Sequence, residues 1–100
     1  MAGNRVKKEA VISWEGTLEP DLAGYRLFVG TVPGAYGPPQ TILVPSTSIS
    51  CAEAGIISDG QYYITVTAYD TAGNESEKAT ELPFEMDTIA PFTPTGLVVF

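Results

Sequence analysis

A chain of 100 residues is the size of one small domain, and its 5 basic and 12 acidic residues give a net charge of −7. This charge argues against binding to nucleic acid or insertion into anionic membranes, which require cationic patches. With no histidine and one cysteine, histidine-activated nucleophiles, zinc sites and an intrachain disulfide are excluded. No apolar run reaches the length of a signal peptide or a membrane span. Either the protein is not exported by the usual route, or the chain belongs to a longer one.

The first half of the chain alternates between apolar and polar side chains in short stretches. Residues 9–14 (EAVISW) predict a strand that turns Trp14 into the core, and a loop follows in which Leu22 is expected to fill core space. Residues 24–30 (GYRLFVG) predict the next strand, with Tyr25 and Leu27 on its core face.

Turn-forming residues then separate several short strands. Residues 31–40 hold two Gly and three Pro, which is turn chemistry, and Tyr36 lies in this loop. Residues 41–44 and 46–51 predict two further strands, the second ending at Cys51, which is expected to pack in the core.

The strongest strand signal is DGQYYITVTAYDTAGNES, residues 59–76, which is bounded by turn residues at both ends. Alternation places one set of side chains on the core face: Tyr62, Ile64, Val66 and Ala68. It places Tyr63, Thr65, Thr67 and Tyr69 on the opposite face. Residues 81–86 (ELPFEM) predict the last strand, and Pro83 predicts that this strand lies at a sheet edge because proline lacks a ladder donor.

Short strands between turn signals, with no helical periodicity, predict an all-β domain, and its size favours a sandwich. The residues ISWEG, EPDLAGYRLFVGT and DGQYYITVTAYDTAGNES resemble a bacterial-style fibronectin type III domain over roughly residues 6–88. This resemblance implies an immunoglobulin-like sandwich of about seven antiparallel strands. It also implies that Tyr62 forms the tyrosine corner, its hydroxyl bonding to backbone a few residues upstream.

The two ends depart from the pattern of that family. No proline-containing opening strand precedes Trp14, whereas residues 89–100 look like such a strand at the wrong end of the chain. We therefore divide the chain into a sandwich, residues 1–88, and a linker with an opening-strand-like segment, residues 89–100. Three interpretations are open: the segment begins a following domain, docks on its own sandwich, or completes the sheet of a neighbouring copy. Its apolar residues are candidate contacts: Leu97, Val98, Val99 and Phe100.

Other candidate binding residues are aromatic or acidic. Tyr63 and Tyr69, with Phe28, are candidates for an exposed aromatic patch suited to sugars or protein, although cross-strand packing is the simpler explanation. Tyr36 marks the Pro-Gly-rich loop as a second candidate. Asp70, Asn74 and Asp87 are possible calcium ligands, but Asp and Asn are also the favoured turn residues.

The sequence therefore favours a non-enzymatic structural or interaction module without a cofactor. The first hypothesis is a building block of a bacterial or phage surface assembly, located on a cell surface or virion, that contacts another copy or domain through its C-terminal segment. The alternative is an extracellular glycan-binding or surface-binding spacer module of a larger secreted protein. Neither role involves nucleic acid or membrane insertion.

Overall fold

The computed structural model describes residues 4–6, 9–89 and 91–100, and for residues 4–6 it describes the backbone alone. The described residues form an all-β structure, as the sequence predicts. The strands are β1 (Asn4–Val6), β2 (Val11–Ser13), β3 (Leu22–Gly30), β4 (Gln40–Leu43), β5 (Ser48–Ser50), β6 (Gly60–Asp70) and β7 (Leu82–Met86).

The strands form two sheets whose arrangement is consistent with a β-sandwich. The larger sheet has the order β1-β7-β6-β3-β4, and the smaller sheet pairs β2 with β5. Strands β7, β6, β3 and β4 are antiparallel neighbours, as are β2 and β5, whereas β1 runs parallel to β7. The long strands β3 and β6 pair from Leu22 opposite Asp70 to Gly30 opposite Tyr63, so they form the centre of the larger sheet.

The core lies between the two sheets. Its buried members come mainly from the larger sheet and from the connection after β5: Leu27, Ile42, Cys51, Ile56, Ile64, Phe84 and Met86. Ile12 and Ile49, which are opposite each other in the smaller sheet, pack against this cluster and are only half-buried. The smaller sheet thus covers the core less completely than the larger one.

Two predictions about strands are wrong. Pro83 does not mark an edge strand, because β1 lies on the outer side of β7. However, β1 pairs only with residues 84–86, so Pro83 itself has no partner residue in β1. The opening strand is not missing, since β1 precedes the tryptophan strand at Asn4–Val6. No pattern in the sequence indicates β1, because three residues are too few to show an alternation.

The connection after β5 contributes a core residue that the sequence did not indicate. Residues 51–55 form consecutive turns, and Gly55 adopts a φ of 85°, which favours glycine. The chain then returns toward the core, where the backbone N–H of Ile56 donates to the carbonyl of Cys51 at 2.9 Å. Ile56 is fully buried as a result.

Candidate interaction surface

The predicted core residues differ in depth. Tyr25, Leu27 and Ile64 are buried, whereas the others are half-buried: Trp14, Leu22, Tyr62, Val66 and Ala68. Trp14 meets Tyr25 edge-on with ring centroids 5.4 Å apart, but its buried indole nitrogen has no hydrogen-bond partner among the described residues. Leu22 lies at the start of β3 rather than in a loop.

Tyr62 makes the bond expected of a tyrosine corner. Its hydroxyl donates to the backbone carbonyl of Ser58, four residues upstream, at 2.8 Å. Its ring stacks on Phe84 with centroids 5.8 Å apart. The hydrogen bond itself is as expected for Tyr62, and it fixes the start of β6 to the preceding loop.

The outer face of β6 is polar but not open to solvent. Thr65 and Thr67 are buried. Residues 75–79 fold back along the edge of β6, bonded to its backbone, and the side chains of Glu75 and Lys78 reach from there over this face. The Thr65 hydroxyl donates to the carbonyl of Ala79 at 2.7 Å, and the Thr67 hydroxyl donates to Oε2 of Glu75 at 2.6 Å. Both buried hydroxyls are therefore satisfied, as burial of polar groups requires.

Glu75 is the centre of an ion pair on the same face. The guanidinium of Arg26 donates to Oε1 of Glu75 at 2.6 Å and also lies 4.0 Å from the ring centroid of Tyr69. The hydrogen bond from Thr67 and then the contact with Arg26 lower the pKa of the Glu75 carboxyl from its ordinary value. Tyr69 is thus covered by a cation of its own chain.

A second acidic residue fixes the Pro-Gly-rich loop. Glu81 accepts hydrogen bonds from the backbone N–H of Gly34, at 2.8 Å, and from the hydroxyl of Tyr36. The hydrogen bond to Glu81 raises the pKa of the Tyr36 hydroxyl. Tyr36 is therefore anchored by its polar end, and its ring lies 6.0 Å from that of Phe28. No sequence signal indicates this clamp, because Glu81 is far from the loop in the chain.

The exposed aromatic patch predicted from Phe28, Tyr63 and Tyr69 does not form as an open surface. All three side chains are half-buried. The ammonium of Lys78 lies 4.7 Å from the ring centroid of Phe28, as Arg26 lies against Tyr69. The folding back of residues 75–79 explains the difference, because a sequence pattern for one strand cannot show that another segment covers it.

The predicted calcium ligands do not come together. Asp70 accepts hydrogen bonds from the backbone N–H groups of Ala72 and Asn74 and from the Asn74 amide, so it closes the turn after β6. These bonds lower the pKa of Asp70, with those from Asn74 the largest cause. Asp87 follows Met86, which pairs with Gly60 at the opposite end of β6. No cluster of three possible ligands occurs among the described residues.

Cys51 packs in the core, as predicted. Its side chain is buried, and burial raises the pKa of the thiol. A raised pKa leaves less thiolate, which is the reactive form. The structure therefore favours a packing role for this cysteine.

A groove separates the outer side of β2 from β7. Two adjoining cavities of about 210 Å³ and 180 Å³ lie along it, and no charged residue lines either. The lining includes Ile12, Trp14, Ile64, Leu82 and Phe84. Leu82 is common to both cavities and is 48% exposed, although it alternates on β7 with the buried residues Phe84 and Met86. The core is thus open to solvent at this groove.

The C-terminal segment is the most exposed apolar part of the described chain. Leu97 is 99% exposed, Val99 97% and Val98 62%, and Phe100 is fully exposed. No described residue from 91 to 100 belongs to a strand. Asp59 fixes the residue just before the segment, since it accepts hydrogen bonds from both the backbone N–H and the hydroxyl of Thr88, at 3.1 Å and 2.6 Å.

Searches against protein-family models, curated proteins and solved structures found no match. The fibronectin type III resemblance therefore stays a prediction. No helix long and apolar enough to cross a membrane occurs in the described part of the chain.

Proposed function

We propose that this chain is a non-enzymatic building block of a surface assembly, with a fibronectin type III-like fold, that contacts the next copy through residues 96–100. The observation that carries the proposal is the exposure of four consecutive apolar side chains in that segment. Monomeric proteins rarely leave a contiguous apolar segment in water, and such segments commonly mark contacts with other proteins.

The energetics favour a contact that uses more than side-chain burial. Full burial of an aliphatic or aromatic side chain contributes about 1.5–3 kcal/mol. Four such side chains contribute an amount comparable with the roughly 4–15 kcal/mol that association costs in lost freedom. A stable contact of this size therefore needs additional hydrogen bonds or several contacts per copy, and a repeating assembly supplies the latter.

The fold assignment and the location are part of the same proposal. The corner hydrogen bond of Tyr62, the packing of Trp14 on Tyr25 and the two-sheet arrangement support the fibronectin type III assignment. The bacterial or phage surface, and the location on a cell surface or virion, rest on the sequence resemblance alone.

The test is the solution mass of the full chain across a concentration series, with residues 1–92 as the matched variant. All seven described strands end by Met86, and residues 93–100 are exposed, so their removal leaves every strand intact. We expect the full chain to exceed monomer mass in a concentration-dependent way and the truncated chain to remain monomeric. Equal masses for both would overturn the proposal.

Salt dependence gives a second readout of the same contact. Each copy carries a net charge of −7, so association brings like charges together. Raising the ionic strength screens this repulsion and strengthens an apolar contact. Association that weakens with salt would instead indicate an ion-pair interface and contradict a role for the apolar segment.

A cleft at one end of the sandwich favours glycan binding as the second candidate. It has a volume of about 320 Å³, and its lining combines Tyr69 with carboxylates that include Asp21 and Glu75. Aromatic rings and carboxylates together recognise sugars through stacking and hydrogen bonds. However, Arg26 already occupies one face of the Tyr69 ring.

Calorimetric titration with soluble polysaccharides tests this candidate. If the cleft binds sugar, the full chain binds, Asp21→Ala weakens binding and truncation to residues 1–92 leaves it unchanged. Absence of binding to any polysaccharide would exclude this role for the cleft. Because the cleft and the C-terminal segment are distinct, the two proposed functions can be separated.

A further inference from the structure

One edge of β2 pairs with no strand among the described residues, and the backbone donors along it can be identified. The N–H of Trp14 donates to the carbonyl of Thr47 at 3.0 Å, and the carbonyl of Ala10 accepts from Cys51 at 2.9 Å. Backbone groups in an antiparallel pair point to alternate sides of the strand. The backbone groups of residues 10 and 14 point toward β5. The backbone N–H and C=O groups of Val11 and Ser13 therefore point to the opposite edge, along which no described strand lies.

The groove between the sheets opens beside this same edge. Its two cavities extend from Ala10 at one end to Thr80 at the other, and its walls are uncharged. Leu82 is half exposed there because nothing described covers it from the side of β2. An unpaired backbone edge next to an apolar groove is the arrangement to which an extended peptide adds as a further strand.

We propose that residues 96–100 of a second copy pair with the free edge of β2 and cover this groove. This inference rests on the proposed function and specifies where the segment binds. It supplies the additional hydrogen bonds that side-chain burial alone lacks.

The segment fits the site in length, polarity and pattern. Five residues in extended conformation span roughly 17 Å, which matches the five residues of β2 and its flanks, 10–14. The segment GLVVF has no charged side chain, and neither has the groove. In a strand, either Leu97 and Val99 or Val98 and Phe100 point into the groove, so both registers present apolar side chains to it.

The first experiment removes one outward donor from the proposed acceptor edge. Ser13→Pro deletes the outward N–H at Ser13 and leaves the β5-facing groups of Ala10 and Trp14 in place. Thr41→Pro is the matched control. The backbone N–H of Val44 donates to the carbonyl of Ala23 in β3 at 3.3 Å, so the backbone groups of Val44 point toward β3. By the same alternation, the N–H of Thr41 points to the outer edge of β4. Solution mass is measured for the full chain, both variants and residues 1–92, with circular dichroism as the check on folding.

We expect Ser13→Pro to raise the concentration needed for association about tenfold or more, as loss of roughly 1.4 kcal/mol requires. Thr41→Pro should associate like the unmodified chain. If Ser13→Pro associates normally while residues 1–92 do not, the segment mediates assembly but binds elsewhere, and the β2 site is wrong. If residues 1–92 associate like the full chain, the proposed function itself fails.

A side-chain variant keeps the test decisive if Ser13→Pro does not fold. Leu82→Lys places a charge at the mouth of the groove, and Leu43→Lys places one at a similarly exposed position on β4. We expect only Leu82→Lys to prevent association. Equal association of both variants would overturn the assignment. A full chain that stays monomeric at every concentration would also overturn it, because the segment would then dock on its own sandwich or not dock at all.

Discussion

The two sheets of this sandwich differ in how completely their faces and edges are covered. In the larger sheet, one face of β6 packs on the core, and on the other face the hydroxyls of Thr65 and Thr67 bond to residues 75–79 along the edge of the strand. The smaller sheet consists of β2 and β5 alone, and its core-facing residues Ile12 and Ile49 stay half-buried.

The difference separates the stability of the domain from its capacity to bind. The larger sheet can supply most of the folding free energy, because it holds most of the buried apolar side chains. In the smaller sheet, apolar surface and backbone groups beside the groove have no partner among the described residues. Variants in the larger sheet should therefore change stability, whereas variants at the β2 edge should change association.

Truncation of a core residue in each sheet gives the largest contrast in stability. Leu27 in β3 is fully buried, so Leu27→Ala should lower the free energy of unfolding by about 3 kcal/mol. Ile12→Ala in β2 should cost about 1–2 kcal/mol, because Ile12 is half-buried beside the groove. Urea unfolding of the dilute monomer measures both; equal losses would contradict the difference between the sheets.

Removal of one buried hydroxyl tests whether the outer face of β6 is held by hydrogen bonds. Thr67→Val keeps the shape of the side chain but deletes its donor to Glu75, and we expect a loss of about 1 kcal/mol. Thr41→Val is the control, since Thr41 is exposed on β4 and should tolerate the change. A neutral Thr67→Val would mean that residues 75–79 contribute little to the larger sheet.

The corner hydroxyl of Tyr62 is expected to have a smaller effect. Tyr62→Phe removes the bond to the carbonyl of Ser58 but keeps the stacking on Phe84, and we expect a loss of about 0.5–1 kcal/mol. Tyr63→Phe is the matched control, because no hydrogen bond of its hydroxyl occurs among the described residues. Identical unfolding free energies for the two variants would show that the corner does not stabilise the domain.

The sequence predicted those elements whose signal is local. The alternation around Tyr62–Ala68 gave β6, and turn residues separated the shorter strands, because each signal lies within about ten residues. The burial of Thr65 and Thr67 was not predictable, since it depends on residues that return from beyond the turn at Asp70. Ile56 was missed for the same reason, as its burial follows from turns rather than from a periodic pattern.

Of the two surfaces in the proposed contact, only one was predictable from the sequence. The apolar run at residues 96–100 is visible in the sequence, but the groove that we assign as its acceptor is not. That groove exists because β2 lacks a second described neighbour, which is a property of sheet order. Likewise, the clamp of Glu81 on Tyr36 joins residues 45 positions apart.

The smallest expected effect is a pH dependence that originates in the larger sheet. Thr67 and Arg26 favour the ionised carboxylate of Glu75, so its folded-state pKa lies below the ordinary value of 4.5. The resulting stability is present above pH 4.5 and is lost as the pH falls through the lowered folded-state pKa. Glu75→Gln should therefore be less stable than the unmodified chain at pH 7, by less than about 1 kcal/mol because the pair is partly exposed.

Urea unfolding from neutral to acidic pH should show this difference shrinking once the carboxylate is protonated. Glu77→Gln controls for the loss of one negative charge, since Glu77 lies exposed on the same segment. A difference that persists unchanged in acid would show that the Glu75 carboxylate does not stabilise the outer face through its charge.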